Sequence, residues 1–198
     1  MTGALTKKQQ TRQRMLEAAG RQFKSHGYAG IGVDGIAKAA GATSGAFYAH
    51  FGSKNGAFDA VVKAGLDAVI EGIPKFQKDY RDKWVEAFAE YYVGKPHRDD
   101  LACGCAMASL SPEIARTDSQ VQTIYEEKME KIADLVAAGL ADGTTAERRN
   151  RAWAMLGILI GGLTMARAVQ SRKTAEEIAA SIRMAAIHAA GPAQGTAL

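Results

Sequence analysis

The chain has 198 residues, enough to bury a hydrophobic core of its own, and 25 basic against 21 acidic residues give a net charge of +4. Hydrophobic residues make up 47 % and charged residues 23 %, which excludes a disordered chain, and 2 cysteines exclude a disulfide framework. Alanine, the best helix former, occupies 38 positions and proline only 4, so the composition predicts an all-α fold.

The first ten residues are polar and lack the apolar segment of a signal peptide, so a cytoplasmic location is expected by default. The one long apolar stretch, residues 152–169, contains Arg167 and three glycines. We interpret it as a buried helix, since a membrane span needs about 20 predominantly apolar residues. No contact with a membrane is therefore expected.

The charge is unevenly distributed along the chain. Residues 1–63 contain nine basic and three acidic residues, a net charge of +6, which leaves 16 basic against 18 acidic residues, or −2, for the rest. A basic N-terminal third on a mildly acidic body indicates a polyanionic partner, although a solvated charged face would give the same pattern.

Four helices are predicted in the first 80 residues. The first covers residues 6–26 and ends at Gly27, and a second of about two turns starts at Val33 with apolar residues at i, i+3, i+4 and i+7. Thr43 caps a third, and a fourth, longer helix begins after Ser53 and is stopped by Pro74. The second and third helices, joined by a short turn containing glycine, form a helix-turn-helix over residues 33–52.

The remaining sequence also has helical periodicity. It predicts helices over residues 83–93, 102–114, 118–140, 146–170 and 174–190, with a loop over residues 94–100. The total is about nine helices. We divide the chain into a helix-turn-helix domain over residues 1–52, a helical body over residues 53–191 and a disordered tail over residues 192–198.

The helix-turn-helix carries side chains suited to DNA. A recognition helix presents small and polar residues at its N-terminus to base edges in the major groove, and phosphates are bound around it. Ser44 can hydrogen-bond a base, Gly45 allows close approach and the Ala46 methyl can contact thymine. Polar or basic side chains around them suit phosphate oxygens. The predicted DNA-contacting residues are Lys38, Thr43, Ser44, Gly45, Ala46, Tyr48, His50 and Lys54.

Residues 10–73 closely resemble the DNA-binding domain of TetR-type transcriptional repressors. The matching fragments, in order, are Phe23, Gly27-Tyr28, Ile36-Ala37, Ala40-Gly41, Tyr48-Ala49-His50-Phe51 and Ser53-Lys54. The chain departs from the family pattern at Gly32, a weaker helix cap, at Ser44, where a lysine is common, and at Gly56, where an acidic residue would complete a capping box.

The resemblance implies a homodimer in which each helical body holds a small-molecule pocket and the last two helices form a four-helix interface. Candidate interface residues are Gly157, Gly161, Ile178 and Ile182. A monomeric bundle with a buried central helix is the alternative. Aromatic residues and methionines form adaptable apolar pockets. The candidate pocket residues, each of which can equally be plain core, are Trp84, Phe88, Tyr91, Tyr92, Met107, Tyr125, Met129 and Trp153.

Two cysteines, Cys103 and Cys105, follow the loop that contains His97. Three ligands without a fourth are a weak metal signal, so no metal or cofactor is predicted. The Gly104-Cys105 dipeptide resembles a TetR subgroup, some members of which sense electrophiles or oxidants through cysteine. A thiol near a helix N-terminus favours the reactive thiolate, whereas an inert, buried cysteine is the alternative reading.

The sequence therefore predicts a non-enzymatic, sequence-specific DNA-binding regulator. The resemblance implies a dimeric repressor released from operator DNA by a small-molecule or thiol-reactive effector. Two alternatives remain: a small helical thiol enzyme that uses Cys105 and His97, and an architectural DNA binder without an effector.

Overall fold

The computed structural model describes residues 6–102 and 104–193, and within them the backbone forms ten α-helices and one 3-10 turn. The helices are α1 (Lys7–His26), α2 (Val33–Ala39), α3 (Ser44–Phe51), α4 (Lys54–Tyr80), α5 (Trp84–Val93), α6 (Lys95–Asp99), α7 (Ala106–Ile114), α8 (Ser119–Ala138), α9 (Thr145–Ala168) and α10 (Arg172–Ala190). The all-α prediction is confirmed. The extra helix is α6, a single turn in the predicted loop.

Helices α1, α2 and α3 pack around a small core that the start of α4 completes. Its largest side chains are fully buried: Met15, Phe23, Ile36, Phe47 and Phe58. Each helix has a local start or stop signal that fixes its place. The Thr43 hydroxyl caps α3, and two glycines with positive φ end α1 and α3.

Helix α4 is longer than predicted, because it continues through Pro74 to Tyr80. A proline inside a helix removes one backbone hydrogen bond and costs about 3 kcal/mol. Tertiary contacts beyond it offset this cost. The ring of Phe76 packs edge-on against Phe88, with 5.4 Å between centroids, and the Gln77 amide donates to the Leu135 carbonyl at 2.8 Å.

The C-terminal body forms around the second half of α4, which packs against α5 and α8. The indole N–H of Trp84 donates to the carbonyl of Gly139 at 3.0 Å, which satisfies the polar atom of a fully buried side chain. A Cβ at Gly139 would lie within 3.0 Å of both Gln77 and Trp84, so only glycine allows α8 to end this close to α4 and α5.

Helices α9 and α10 pack along each other over most of their length. Their caps lie slightly earlier than the sequence predicts: Thr144 forms a capping box with Glu147, and Ser171 caps α10. Helix α9 accordingly begins one residue before the predicted range of 146–170, and α10 begins two residues before the predicted range of 174–190. Within residues 6–102 and 104–193, no helix combines the length and apolarity required of a membrane span.

The beginning of the predicted disordered tail is ordered. The Ala141 N–H donates to the Pro192 carbonyl at 2.8 Å, and Ala193 forms an antiparallel bridge with Leu140. Arg151 stabilises this corner by donating to the carbonyl of Ala190 at 3.0 Å. The prediction is therefore wrong for residues 192 and 193, whose backbone finds partners, and residues 194–198 lie outside the described part of the chain.

Candidate functional site

The tip of α3 contains the residues predicted to contact bases. The Thr43 hydroxyl accepts from the Ala46 N–H at 3.2 Å, and the Ser44 hydroxyl donates to the Asp34 carboxylate of α2. Gly45 is exposed, and a Cβ there would meet only the Thr43 hydroxyl at 3.9 Å. Nothing within the protein therefore requires glycine at this position, and the tip presents a flat, small surface to a partner.

Polar side chains surround this tip. Tyr48 is 52 % exposed and is supported from behind by the buried ring of Phe47, in edge-on contact at 5.9 Å between centroids. Lys38 is exposed in the last turn of α2. His50 is half-buried, with its ring 6.4 Å from that of Phe51. The predicted residues are thus exposed or half-buried on α2, on α3 and beside them, and their contacts with DNA stay predictions.

Lys54, the first residue of α4, is held in place by an aromatic ring. Its ammonium lies 4.4 Å from the ring centroid of Tyr28. Such a cation–π contact is worth about 0.5–1 kcal/mol at an exposed site. The Tyr28 hydroxyl in turn donates to the Asn55 side-chain oxygen. Lys54 is therefore oriented beside the first amides of α4, where an anion is favoured.

Sequence reasoning used Tyr28 only as a family marker and missed its contacts. Its backbone N–H donates to the Glu113 carboxylate of α7 at 3.0 Å, and Asn55 donates to the Asp118 carboxylate at 3.5 Å. Burial, followed by the charges of Asp118 and Asp59, raises the pKa of Tyr28. The loop after α1 is thus bonded both to the start of α4 and to the body, which no sequence spacing indicates because Glu113 lies 85 residues away.

Arg12 is a second basic residue that the sequence did not single out. Its guanidinium lies 5.2 Å from the ring centroid of Phe51, on the last turn of α3. It adds a positive charge to the same side of the molecule as the recognition helix. Only its position among other basic residues of the N-terminal third could have identified it.

A cavity of about 240 Å³ lies where α1 meets α4, α5 and α7. Three of the predicted pocket residues line it: Phe88, Tyr91 and Tyr92. The other lining residues include Phe76 of α4, His97 of α6 and Cys105, which precedes α7. Its wall is therefore mostly aromatic and aliphatic, as small-molecule pockets usually are.

The remaining candidates for the pocket lie elsewhere. Met107 and Met129 are buried in the core, as is Trp84, which is bonded to the end of α8. The Tyr125 hydroxyl is 2.7 Å from that of Ser111, and Trp153 lies partly exposed on α9. Helical periodicity identified these residues as apolar without specifying which of them border a void.

Cys105 precedes the first residue of α7 and is half-buried at the cavity wall. Its sulfur accepts a hydrogen bond from the Tyr92 hydroxyl at 3.3 Å. The predicted thiol sensor therefore borders the cavity, and its reactivity stays a prediction. Cys103 lies outside the described residues. Among the residues that the structure describes, no three His, Cys, Asp or Glu side chains converge as metal ligands would.

The rings of His97 and Tyr91 are in edge-on contact, with 4.6 Å between their centroids. The Nδ1 of His97 is 3.0 Å from the Tyr92 carbonyl. Burial lowers the pKa of His97, and the nearby charges of Arg167 and Lys24 lower it further. Because the folded state disfavours the protonated ring, the stability associated with His97 is present above the ordinary histidine pKa of about 6.5 and is lost as the pH falls below it.

We expect the wild-type chain to lose more stability between pH 7.5 and pH 5.5 than the His97→Gln variant. Glutamine keeps a donor for the Tyr92 carbonyl and does not titrate. Urea unfolding midpoints of both proteins at the two pH values measure the difference, since the titration of all carboxyl groups is common to both. Equal losses in the two proteins would contradict a lowered pKa at His97.

The N-terminal domain is similar in sequence to known proteins. Residues 15–61 match the family model of the bacterial regulatory proteins of the tetR family. The HTH-type transcriptional repressor SCO4008 of Streptomyces coelicolor is 30 % identical over 124 residues, or 63 % of this chain. The N-terminal domain of this chain is therefore similar to the DNA-binding domain of TetR-family regulators. The match to that repressor spans 64 % of the repressor's own length.

Solved structures of the TetR family share the fold over nearly their whole length. A TetR-family regulator from Agrobacterium tumefaciens superposes with a TM-score of 0.74 at 20 % identity, over 89 % of this chain and 97 % of that one. The reduced form of E. coli NemR gives a TM-score of 0.71 at 16 % identity, with the same coverage of both chains. The similarity in fold to TetR-family structures therefore includes the helical body, in which the sequence analysis identified no motif specific to the whole family.

The candidate dimer face is the outward side of α9 and α10. Gly157 and Gly161 are exposed, and a Cβ at either would find open space. Ile178 is half-buried, and Ile182 packs against Gly162 of the same chain. Large apolar side chains are exposed on both helices. Trp153, Met165 and Met184 are respectively 37 %, 57 % and 64 % exposed.

Proposed function

We propose that this chain is a dimeric TetR-type repressor that binds operator DNA through α3 and is released by a small-molecule effector. The observation that carries the proposal is the geometry around α3. Its tip carries the small residues Gly45 and Ala46, Tyr48 is exposed on the same helix, and Lys54, oriented by Tyr28, follows at the start of α4. This is the arrangement that a recognition helix with flanking phosphate contacts requires.

Docking follows from this geometry. The tip of α3 enters the major groove, where the exposed Gly45 allows close approach to base edges. Tyr48 and Lys54 contact phosphates on either side. The Ser44 hydroxyl keeps its acceptor capacity while it donates to Asp34, so it can accept from a base amino group. Arg12 and Lys38 add long-range attraction for the DNA.

Dimerisation is supported by the composition of α9. Its inward side buries Met155, Leu159 and Leu163, and its outward side exposes Trp153 and Met165 with small residues between them. A helix that is apolar around its whole circumference is normally buried all round. A second copy packed on α9 and α10 would bury the outward side and place two recognition helices on successive turns of DNA, roughly 34–36 Å apart.

The effector site in this proposal is the cavity between α1, α4, α5 and α7. A ligand that binds better to a conformation with misplaced recognition helices shifts the population away from the DNA-bound form. Cys105 lines the same cavity, so a thiol-reactive effector would act from the same place.

The DNA-binding part is tested by replacing Lys54 with methionine. We expect Lys54→Met to bind duplex DNA about three- to tenfold more weakly and to lower the slope of log affinity against log salt by about one, since one phosphate contact is lost. Lys63→Met is the matched control, because Lys63 is an exposed lysine of the same helix, away from the tip of α3. Fluorescence anisotropy at several salt concentrations measures both quantities.

The duplex for this assay is one selected by the wild-type protein from a random-sequence pool. Selection of a defined sequence that resists random competitor supports a site-specific repressor, whereas retention of all sequences alike indicates an architectural binder. A Lys54→Met variant with the affinity and salt slope of Lys63→Met would contradict the phosphate contact.

A further inference from the structure

The charged side chain on the cavity wall is basic. Lys24 lines it, and among the described residues that form its wall there is no aspartate or glutamate. The guanidinium of Arg167 lies just behind, donating to the His97 carbonyl at 2.6 Å and to the Ser109 hydroxyl at 3.0 Å. Asp100 is close enough to Arg167 to act on its charge but does not line the cavity. Among the described residues, the cavity wall therefore offers an ammonium group to a ligand and no carboxylate.

The rest of the wall is suited to a flat ring. Phe76, Phe88, Tyr91 and Tyr92 contribute four aromatic side chains. Glycine, alanine and aliphatic residues of α4, with Gly104 and Ala106, form most of the remaining surface, so a planar body can lie between the helices. At about 240 Å³ the cavity is slightly smaller than the range of about 300–1,000 Å³ typical of ligand pockets, which favours a molecule of one or two rings.

We propose that the effector is a small aromatic anion, such as an aromatic carboxylate, with its anionic group at Lys24 and its ring among the aromatic side chains. The proposal rests on the proposed function, because it names the ligand class of the same cavity. A cation would meet the like charge of the Lys24 ammonium with no carboxylate on the described wall to bind it, and a neutral analogue forgoes the charge-assisted hydrogen bond to the ammonium.

The position of Lys24 gives this contact a regulatory consequence. Lys24 belongs to the last turn of α1, directly after Phe23, which is buried in the core of the DNA-binding domain. The other lining residues belong to α4, α5, α7 and the segment between α5 and α7. A ligand whose anionic group contacts Lys24 therefore touches both the DNA-binding domain and the body. Its binding favours the relative position of the two in which all of these contacts are made.

Three ligands of one shape test the proposal: 2-naphthoate, 2-naphthamide and 2-naphthylmethylammonium. Isothermal titration calorimetry on the full chain without DNA gives each affinity. We expect wild-type protein to bind the carboxylate at least tenfold more tightly than the amide, and the ammonium most weakly, since a hydrogen bond between charged groups is worth about a factor of ten or more. Lys24→Met should remove the preference for the carboxylate and leave the amide affinity unchanged.

Arg21→Met is the matched control, because Arg21 is an exposed basic residue one turn earlier on α1 that does not line the cavity. It should keep the full preference. Equal binding of all three ligands, retention of the preference in Lys24→Met, or no binding of 2-naphthoate at millimolar concentration would overturn the proposal. Because no DNA is present, these outcomes are independent of the DNA-binding test on Lys54, so failure of the ligand class and failure of the repressor function are distinguished.

Discussion

Replacing Gly161 by glutamate is expected to convert the protein into a folded monomer that binds its selected duplex at least about 100-fold more weakly. Gly161 is exposed, and a Cβ there meets nothing within 4 Å, so the protomer has room for the new side chain. Glutamate is also the better helix former. The protomer should therefore fold normally.

The loss arises at the proposed interface. Two symmetry-related copies of α9 would bring two carboxylates into an apolar contact, and an unpaired buried charge costs several kcal/mol. A cost of about 2.7 kcal/mol already corresponds to 100-fold in affinity. Sedimentation velocity gives the oligomeric state, and anisotropy on the selected duplex gives the affinity.

Gly161→Ala is the control for this experiment. A methyl group adds little volume and no charge, and we expect it to preserve the dimer. If Gly161→Glu remained a dimer with wild-type affinity, the interface would have to lie elsewhere on the molecule.

The second large effect is expected one residue further along α9. Gly162→Ala should destabilise the fold by about 1–3 kcal/mol, the usual cost of overpacking a tight contact. Its added Cβ would lie 2.3 Å from Cγ2 and 2.8 Å from Cβ of Ile182. The Cβ of Ile182 is fixed to the backbone of α10, so the two helices must separate to make room. The gain of about 1 kcal/mol in helix propensity is too small to offset this.

Gly161→Ala and Gly162→Ala make the same chemical change at neighbouring positions of one helix, so they form a matched pair. Urea unfolding at a single protein concentration should show the first to be as stable as the wild type or slightly more so, and the second less stable. Gly162→Ala should cost less in an Ile182→Ala background than in the wild type, because Ile182→Ala removes the two Cγ atoms that lie nearest and leaves only the Cβ contact at 2.8 Å. Additive effects of the two changes would contradict the close contact.

The DNA-binding domain was the part most accessible to sequence reasoning, because its signals are local. Thr43 caps α3 as predicted, and the glycines that end α1 and α3 lie where the pattern places them. Pro74 was misread because a local rule was applied where tertiary contacts decide. The packing of Phe76 and Gln77 against the body lies outside any local sequence window.

The candidate site was only partly accessible for the same reason. Phe88, Tyr91 and Tyr92 line the cavity, whereas Met107 and Met129 have the same helical spacing but lie in the core. Helical spacing predicts which residues share a face of a helix, whereas the position of the cavity depends on how several helices pack together. Lys24 was not singled out in the sequence, because it is one of nine basic residues in the N-terminal third. Its position at the cavity depends on the packing of α1 against the body.

Because α4 is one continuous helix, a small change of its angle at the cavity moves the end that carries Lys54. Lys54 is its first residue and Val69 lines the cavity, and the 15 residues between them correspond to about 22 Å of uninterrupted helix. A tilt of about 5° at the cavity then displaces the Lys54 end by about 2 Å. Hydrogen bonds to phosphate do not survive a displacement of that size. A ligand of one or two rings therefore needs to tilt α4 only slightly. This is enough to misalign the two recognition helices of the proposed dimer with DNA, whose helical repeat is fixed.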